Sequence, residues 1–141
     1  MQQQMRKPLP KPLPFVYPEN KPFFDGTKRH ELVIQRCKDC GKFYFYPRSQ
    51  CPHCLSENVE WVKVSGKGKV YSFTICERPG NPAFAGDVPY NVAIIELDEG
   101  VRMMSKVIEC ENKDIKCDMK VEVVFQEASP EITLPYFKPV K

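Results

Sequence analysis

Cys37, Cys40, Cys51 and Cys54 follow the spacing Cys-x2-Cys-x10-Cys-x2-Cys. Two residues between cysteines let both thiols of a tight turn face one point. A second such turn, folded back by a hairpin, completes a tetrahedral sulfur shell suited to zinc, and iron suits the same four sulfurs. Gly41 follows the first pair where the turn calls for a positive φ, and Pro52 stiffens the second. Leu55 stands where the matching second glycine belongs, so the second knuckle is expected to be less regular. Four thiolates leave no open coordination position, which makes one ion per chain a structural one. A lobe of about thirty residues buries too little apolar surface to fold alone, so the metal should supply much of its stability. His53 lies inside the second knuckle but is surplus to a complete cysteine set. Cys76, Cys110 and Cys117 read as core or surface residues, with a Cys110–Cys117 bridge as an unsupported option.

Catalytic constellations are not evident. Acid–base or nucleophilic chemistry needs a base held near a nucleophile, and the two histidines, His30 and His53, sit in a basic segment and in a knuckle. Gly66-Lys67-Gly68-Lys69 matches neither a dinucleotide loop nor a P-loop; it marks a close backbone approach where ribbon meets barrel. The His-x-Glu and Pro-Cys-x-x-Cys signature of a zinc deaminase is absent. Glu96, Asp98 and Glu99 fall where strand ends and turns expose charge. The expectation is a protein that is not itself an enzyme.

The elements that would position the cysteines are mostly strands. Period-two patterns run through Lys69–Glu77, Asn91–Asp98, Val101–Ile108 and Lys120–Gln126, with a last extended piece at Tyr136–Lys138. In the first of these Tyr71, Phe73 and Ile75 are expected on one face. Asp98-Glu99-Gly100 reads as a hairpin turn with Gly100 in the left-handed position. One or two helical turns are expected near Pro18–Lys28. Five strands in about eighty residues suggest a small closed barrel. The expected fold is therefore mainly β: a short helical segment and a four-cysteine ribbon over 23–62, then a five-stranded barrel over 63–141. Residues 1–22 hold six prolines and several basic residues and read as an extended arm, either free or lying on a partner.

Composition is ordinary for a globular chain, with 42% hydrophobic and 28% charged residues in 141. No apolar run approaches the roughly 20 residues of a membrane span, and the N-terminus has no secretory apolar region, so a cytoplasmic, reduced protein is expected. Net charge is +3. Residues 1–58 carry ten Lys+Arg against five Asp+Glu, net +5; residues 59–141 carry eleven against thirteen, net −2. The barrel half thus lacks the clustered cations of an electrostatic groove for nucleic acid.

The ribbon, the run Glu60-Trp61-Val62-Lys63-Val64-Ser65-Gly66-Lys67-Gly68-Lys69-Val70-Tyr71-Ser72-Phe73-Thr74, the segment Pro89–Gly100 and the C-terminal Pro135-Tyr136-Phe137-Lys138-Pro139 together resemble one family. It is the acyl-CoA-associated family with a rubredoxin-like zinc ribbon and a C-terminal OB-fold, a domain of unknown function. The resemblance runs from about Pro22 to Val140, leaving the arm outside. Departures are Leu55 at the knuckle glycine and Cys117-Asp118 where the family often has a glycine. The resemblance implies a non-catalytic scaffold, working with thiolase, hydroxymethylglutaryl-CoA synthase, or hydratase and aldolase partners. Its archaeal members point to a bridge between acetoacetyl-CoA thiolase and hydroxymethylglutaryl-CoA synthase in the mevalonate pathway of lipid metabolism. Contact with CoA itself would fall on Lys28, Arg29, Arg36, Lys42 and Arg48 for the phosphates, with Phe43 and Tyr44 to stack on adenine. The alternative for Phe43–Tyr46 is packing of the ribbon hairpin on the barrel. The competing function is a single-stranded nucleic-acid-binding ribbon and OB module, and a lesser one is iron-based electron transfer.

Overall fold

The computed structural model describes residues 11–140; the first ten residues of the expected arm lie outside them. Helix α1 (Lys21–Lys28) carries Pro22 in its first turn, where a fixed φ and a missing donor do no harm. It buries Phe23, Phe24, Gly26 and Thr27. Three antiparallel strands follow, β1 (Val33–Cys37), β2 (Phe43–Tyr44) and β3 (Val59–Lys63), in the order β2-β1-β3. The second sheet holds β4 (Lys67–Cys76), β5 (Tyr90–Leu97), β6 (Arg102–Ser105), β7 (Lys120–Glu127) and β8 (Thr133–Pro139), in the order β6-β5-β4-β7-β8.

That sheet curls until its ends meet. Just past β6, Val107 bridges Phe137 of β8 in parallel. The Phe137 N–H donates to the Lys106 carbonyl at 3.0 Å and the Ile108 N–H to the Phe137 carbonyl at 2.7 Å. This connectivity, a five-stranded Greek-key sheet closed by one parallel contact, is the OB-fold arrangement. Asn91 secures the closure from inside: its side chain gives to the Val107 carbonyl at 2.9 Å and takes the Val107 N–H at 2.8 Å.

One apolar core serves both sheets. Val70, Ile95, Leu97, Val107, Val121 and Phe137 fill the barrel, while Phe23 and Phe24 of α1 and Leu32 and Ile34 beside and on β1 join the same cluster. The expected close approach at the junction is present. A Cβ on Gly68 would collide with the Glu96 carbonyl, and one on Gly66, at φ +75°, with the Val123 side chain. The hairpin after β5 is also as expected, with Gly100 at φ +90°.

Two expectations need correction. Tyr71 does not share a face with Phe73 and Ile75: a bulge pairs Val70 with Ile95 and Ser72 with Ile94, leaving Tyr71 extra. The alternation therefore changes phase, from Gly68 and Val70 inward to Phe73 and Ile75 inward. Tyr71 is 47% exposed and carries the Arg102 guanidinium 3.7 Å from its ring centroid. The last strand is longer than the expected Tyr136–Lys138, running Thr133–Pro139. Pro135 and Pro139 mask it, since proline reads as a strand breaker although an edge strand accepts it.

Candidate metal centre

Each cysteine pair sits on a tight turn between strands. The Gly41 N–H donates to the Cys37 carbonyl at 2.9 Å and the Leu55 N–H to the Cys51 carbonyl at 2.8 Å. Backbone N–H groups also point at sulfur, from Cys40 to Cys37 Sγ at 3.4 Å and from His53 to Cys51 Sγ at 3.3 Å. The two turns close alike through the residue after the second cysteine, although the sulfur-directed N–H comes from three residues on in the first knuckle and two in the second. Leu55 adopts φ +64° beside +76° at Gly41, taking the left-handed conformation the turn demands. Asp118 likewise takes φ +67° at the other family departure, a conformation aspartate tolerates better than most residues.

The four sulfurs all lie within 4.8 Å of one another. Cys37 Sγ is 3.5 Å from Cys54 Sγ, and Cys40 Sγ is 3.6 Å from Cys51 Sγ. A tetrahedron with metal–sulfur bonds of about 2.3 Å has edges of about 3.8 Å, so the donor set fits such an ion. Electrostatics agree. The Cys40 N–H pulls the Cys37 thiol down to about 7. The Ser56 N–H pulls Cys54 the same way, yet the Cys37 sulfur, burial and the other two sulfurs outweigh it and push Cys54 up to about 12. Four thiolates at such distances need a cation between them. Cys37 and Cys51 are fully buried and Cys40 and Cys54 exposed. His53 is outside the donor set, and all seven cysteines are unbridged, Cys110 and Cys117 included.

The knuckles are tied together by residues the cysteine spacing does not reveal. Asp39 accepts from the Ser56 hydroxyl and, at 3.3 Å, from the Asn58 amide, which together hold its carboxyl below the usual range. The Lys38 N–H donates to the Asn58 carbonyl at 2.9 Å. Buried Gln35 accepts the Arg48 N–H at 2.6 Å. Short polar side chains in turns are too common for these roles to be read from sequence.

The candidate CoA-contacting residues divide. Arg36 and Phe43 are paired across β1 and β2, the guanidinium 5.9 Å from the ring centroid, and Arg36 also meets Glu60. Tyr44 is 3% exposed, packs against Cys37 and Cys51, and donates its hydroxyl to the Arg48 carbonyl at 2.9 Å. Burial, then the Cys51 and Cys37 charges, push that hydroxyl up to about 12. Tyr44 is therefore part of the ribbon interior and has no free face for a base. Phe45 packs on Phe23 of α1, ring centroids 5.4 Å apart, in line with the packing alternative. Lys42 and Arg48 are exposed on the ribbon. Lys28 lies elsewhere, across a groove from Ser129 and Ile132, and Arg29 pairs with Glu31.

Sequence comparison finds two family profiles in tandem, the ChsH2 rubredoxin-like zinc ribbon domain over residues 24–60 and the ChsH2 C-terminal OB-fold domain over residues 61–126. A probable enoyl-CoA hydratase alpha subunit of Thermomonospora curvata is 38% identical over 92% of this chain, which spans only 40% of that longer protein. A DUF35 domain-containing scaffold protein of Methanocaldococcus jannaschii is 38% identical, covering 81% of this chain and 85% of the relative. Benzoylsuccinyl-CoA thiolase subunit BbsA of Thauera aromatica is 32% identical over 86% and 83%. Among solved structures, a chain of the Ltp2-ChsH2(DUF35) aldolase superposes with TM-score 0.79 at 38% identity, covering 90% of this chain and 98% of that one. No helix among the described residues is long and apolar enough to cross a membrane. With its ribbon, its barrel and their order all matched, the chain belongs to the DUF35 family of zinc-ribbon and OB-fold proteins, whose members include scaffold proteins and subunits of acyl-CoA enzymes.

Proposed function

We propose that the protein is a non-catalytic scaffold subunit of an acyl-CoA-processing complex, with one structural zinc held by Cys37, Cys40, Cys51 and Cys54. The observation that carries this reading is the match in architecture, over most of both chains, to a scaffold protein and to a thiolase subunit. A closed set of four sulfurs, two of them buried, supports a zinc that holds shape instead of binding substrate. The partner is a thiolase, and the finer assignment is a bridge from acetoacetyl-CoA thiolase to hydroxymethylglutaryl-CoA synthase in the mevalonate route, with exposed Lys42 and Arg48 available to CoA phosphates and Arg36 beside them held by Glu60 and Phe43.

A surface suited to a protein partner supports the same reading. An apolar groove of about 310 Å³ opens between ribbon and barrel, lined by Phe45, Tyr46, Met103, Met104, Leu134 and Pro135. Met104 is 66% exposed and Tyr46 43%, and exposed apolar side chains gathered in one groove mark interaction sites. Native mass spectrometry of the tagged chain drawn gently from its host lysate tests the assignment. The expected result is one zinc per chain and a thiolase, with or without the synthase, in a complex that Met104→Glu weakens at least tenfold. Zinc-loaded chain carrying single-stranded nucleic acid and no acyl-CoA enzyme would replace the scaffold reading with the nucleic-acid one.

A further inference from the structure

The N-terminal stretch is clasped at two points. Lys11 and Asp87 form an ion pair, and the Lys11 ammonium lies 5.7 Å from the centroid of the Phe84 ring. Phe84 is braced by Tyr90, ring centroids 6.1 Å apart. At the other end Asn20, 1% exposed, accepts the Tyr17 N–H at 2.7 Å and donates to the Phe15 carbonyl and the Tyr46 hydroxyl, both at 3.0 Å. Between these clasps Lys11, Pro12 and Leu13 form one wall of a trough whose opposite walls include Phe84, Ala128, Leu134 and Tyr136. Those residues come from the loops at 77–89 and 128–132 and from β8. They surround the end of the barrel at which OB-folds use their two long loops to hold ligands.

The segment has the chemistry of a ligand. Lys11-Pro12-Leu13-Pro14 repeats the tetrapeptide Lys7-Pro8-Leu9-Pro10 that precedes it. Proline at alternate positions sets φ in advance, so little chain entropy is lost on seating, and such peptides dock in grooves lined by aromatic rings. From this juxtaposition we infer that the barrel carries a recognition seat for a Lys-Pro-Leu-Pro peptide, built from Asp87, Phe84, Leu134 and Tyr136, along which the chain lays its own Lys11–Pro14, with Lys11, Pro12 and Leu13 still exposed. Asp87 and the Phe84 ring read the lysine, and Leu134 and Tyr136 of β8 line the same trough as Pro12 and Leu13. An exposed ion pair is weak by itself, but a tethered peptide meets its seat at an effective concentration on the order of millimolar. The arm is thereby a cis occupant of the loop end of the barrel, whichever partner the scaffold serves.

Backbone NMR of the full chain tests this. In the wild type the Leu13 amide should show a heteronuclear NOE matching that of the strands. Lys7→Glu with Lys11→Glu should lower it by at least half, both lysines being changed because either repeat offers one, and adding Asp87→Lys should restore it. The Tyr17 amide, held by Asn20, should stay unchanged throughout and so separates unlatching from unfolding. The peptide Lys-Pro-Leu-Pro-Lys-Pro-Leu-Pro, added to the Lys7→Glu, Lys11→Glu chain, should shift the Phe84, Ala128 and Tyr136 signals. It should leave the wild type, whose seat is already engaged by the arm, unshifted at the same concentration. A low Leu13 NOE in the wild type, no rescue by Asp87→Lys, or no peptide response overturns the proposal. A concentration-dependent dimer that alone shows the ordered arm would move the occupant to a second copy and overturn the cis assignment.

Discussion

The ribbon tip and the barrel solve the same problem by opposite means. The barrel is held mainly by apolar burial: Val70, Ala93, Ile95, Val121 and Phe137 have no measurable exposure, and α1 adds Phe23 and Phe24. Around the knuckles, the buried cluster is only Cys37, Tyr44 and Cys51, with Val59 packed against it. Burial at about 25 cal/mol per Å² can hold the first together, whereas the second has too little area to offset its chain entropy. What remains for the tip is a chelate of four sulfurs and the polar stitching of Asp39, Ser56 and Asn58. The lower half of the ribbon belongs to the barrel, since Leu32 and Ile34 enter the common core. The division that matters energetically therefore runs through the ribbon and not between it and the barrel.

The largest expected effect separates the two regions directly. Stripping the metal with a strong chelator, or changing Cys51 to serine, should collapse the amide signals of residues 37–58 while those of β4–β8 persist. Structural zinc supplies on the order of 10 kcal/mol in small domains, so the knuckles should not survive its loss. Unchanged ribbon signals in the chelated protein would end the comparison. In the barrel, Phe137→Ala removes a fully buried ring and should cost about 3–5 kcal/mol in urea unfolding, with metal content preserved.

Smaller effects sharpen the picture. Asn91→Ala leaves the Val107 N–H and carbonyl without their partners and should cost about 2–3 kcal/mol, with faster hydrogen exchange confined to the β6–β8 closure. An exchange pattern spread evenly over the sheet would show that Asn91 is not what holds that seam. At the small end, Leu55→Gly should stabilise the holo protein by about 1 kcal/mol in thermal melts, because glycine enters the left-handed region without strain. Its benefit should vanish in the metal-free chain if the knuckle turn exists only around the ion.

Much of the centre could be read in advance because chelation is a local affair. Two residues between cysteines determine a turn whatever surrounds it, and both knuckles take that turn even with leucine in place of glycine. Strand patterns were legible for the same reason where alternation is uninterrupted, as in β5, whose buried and half-buried residues alternate along its length. Reading failed where one residue changed the phase, at the Tyr71 bulge, and where prolines hid β8. For Tyr44 the sequence left stacking on a ligand and packing in the hairpin both open, since an aromatic there looks the same whether it faces solvent or the sulfurs; the structure buries it against Cys37 and Cys51.

Spacing along the chain and residue type suffice for the cysteine set, the glycines at the ribbon–barrel joint, the β character and the family. Tertiary packing alone closes β6 on β8 through Val107 and Phe137, sets Asn91 against Val107 and Asn20 against Tyr46, and brings Lys11 onto Asp87. These join residues far apart in sequence, and their energy depends on which groups folding brings within hydrogen-bond reach, a property of the whole chain that no local pattern carries.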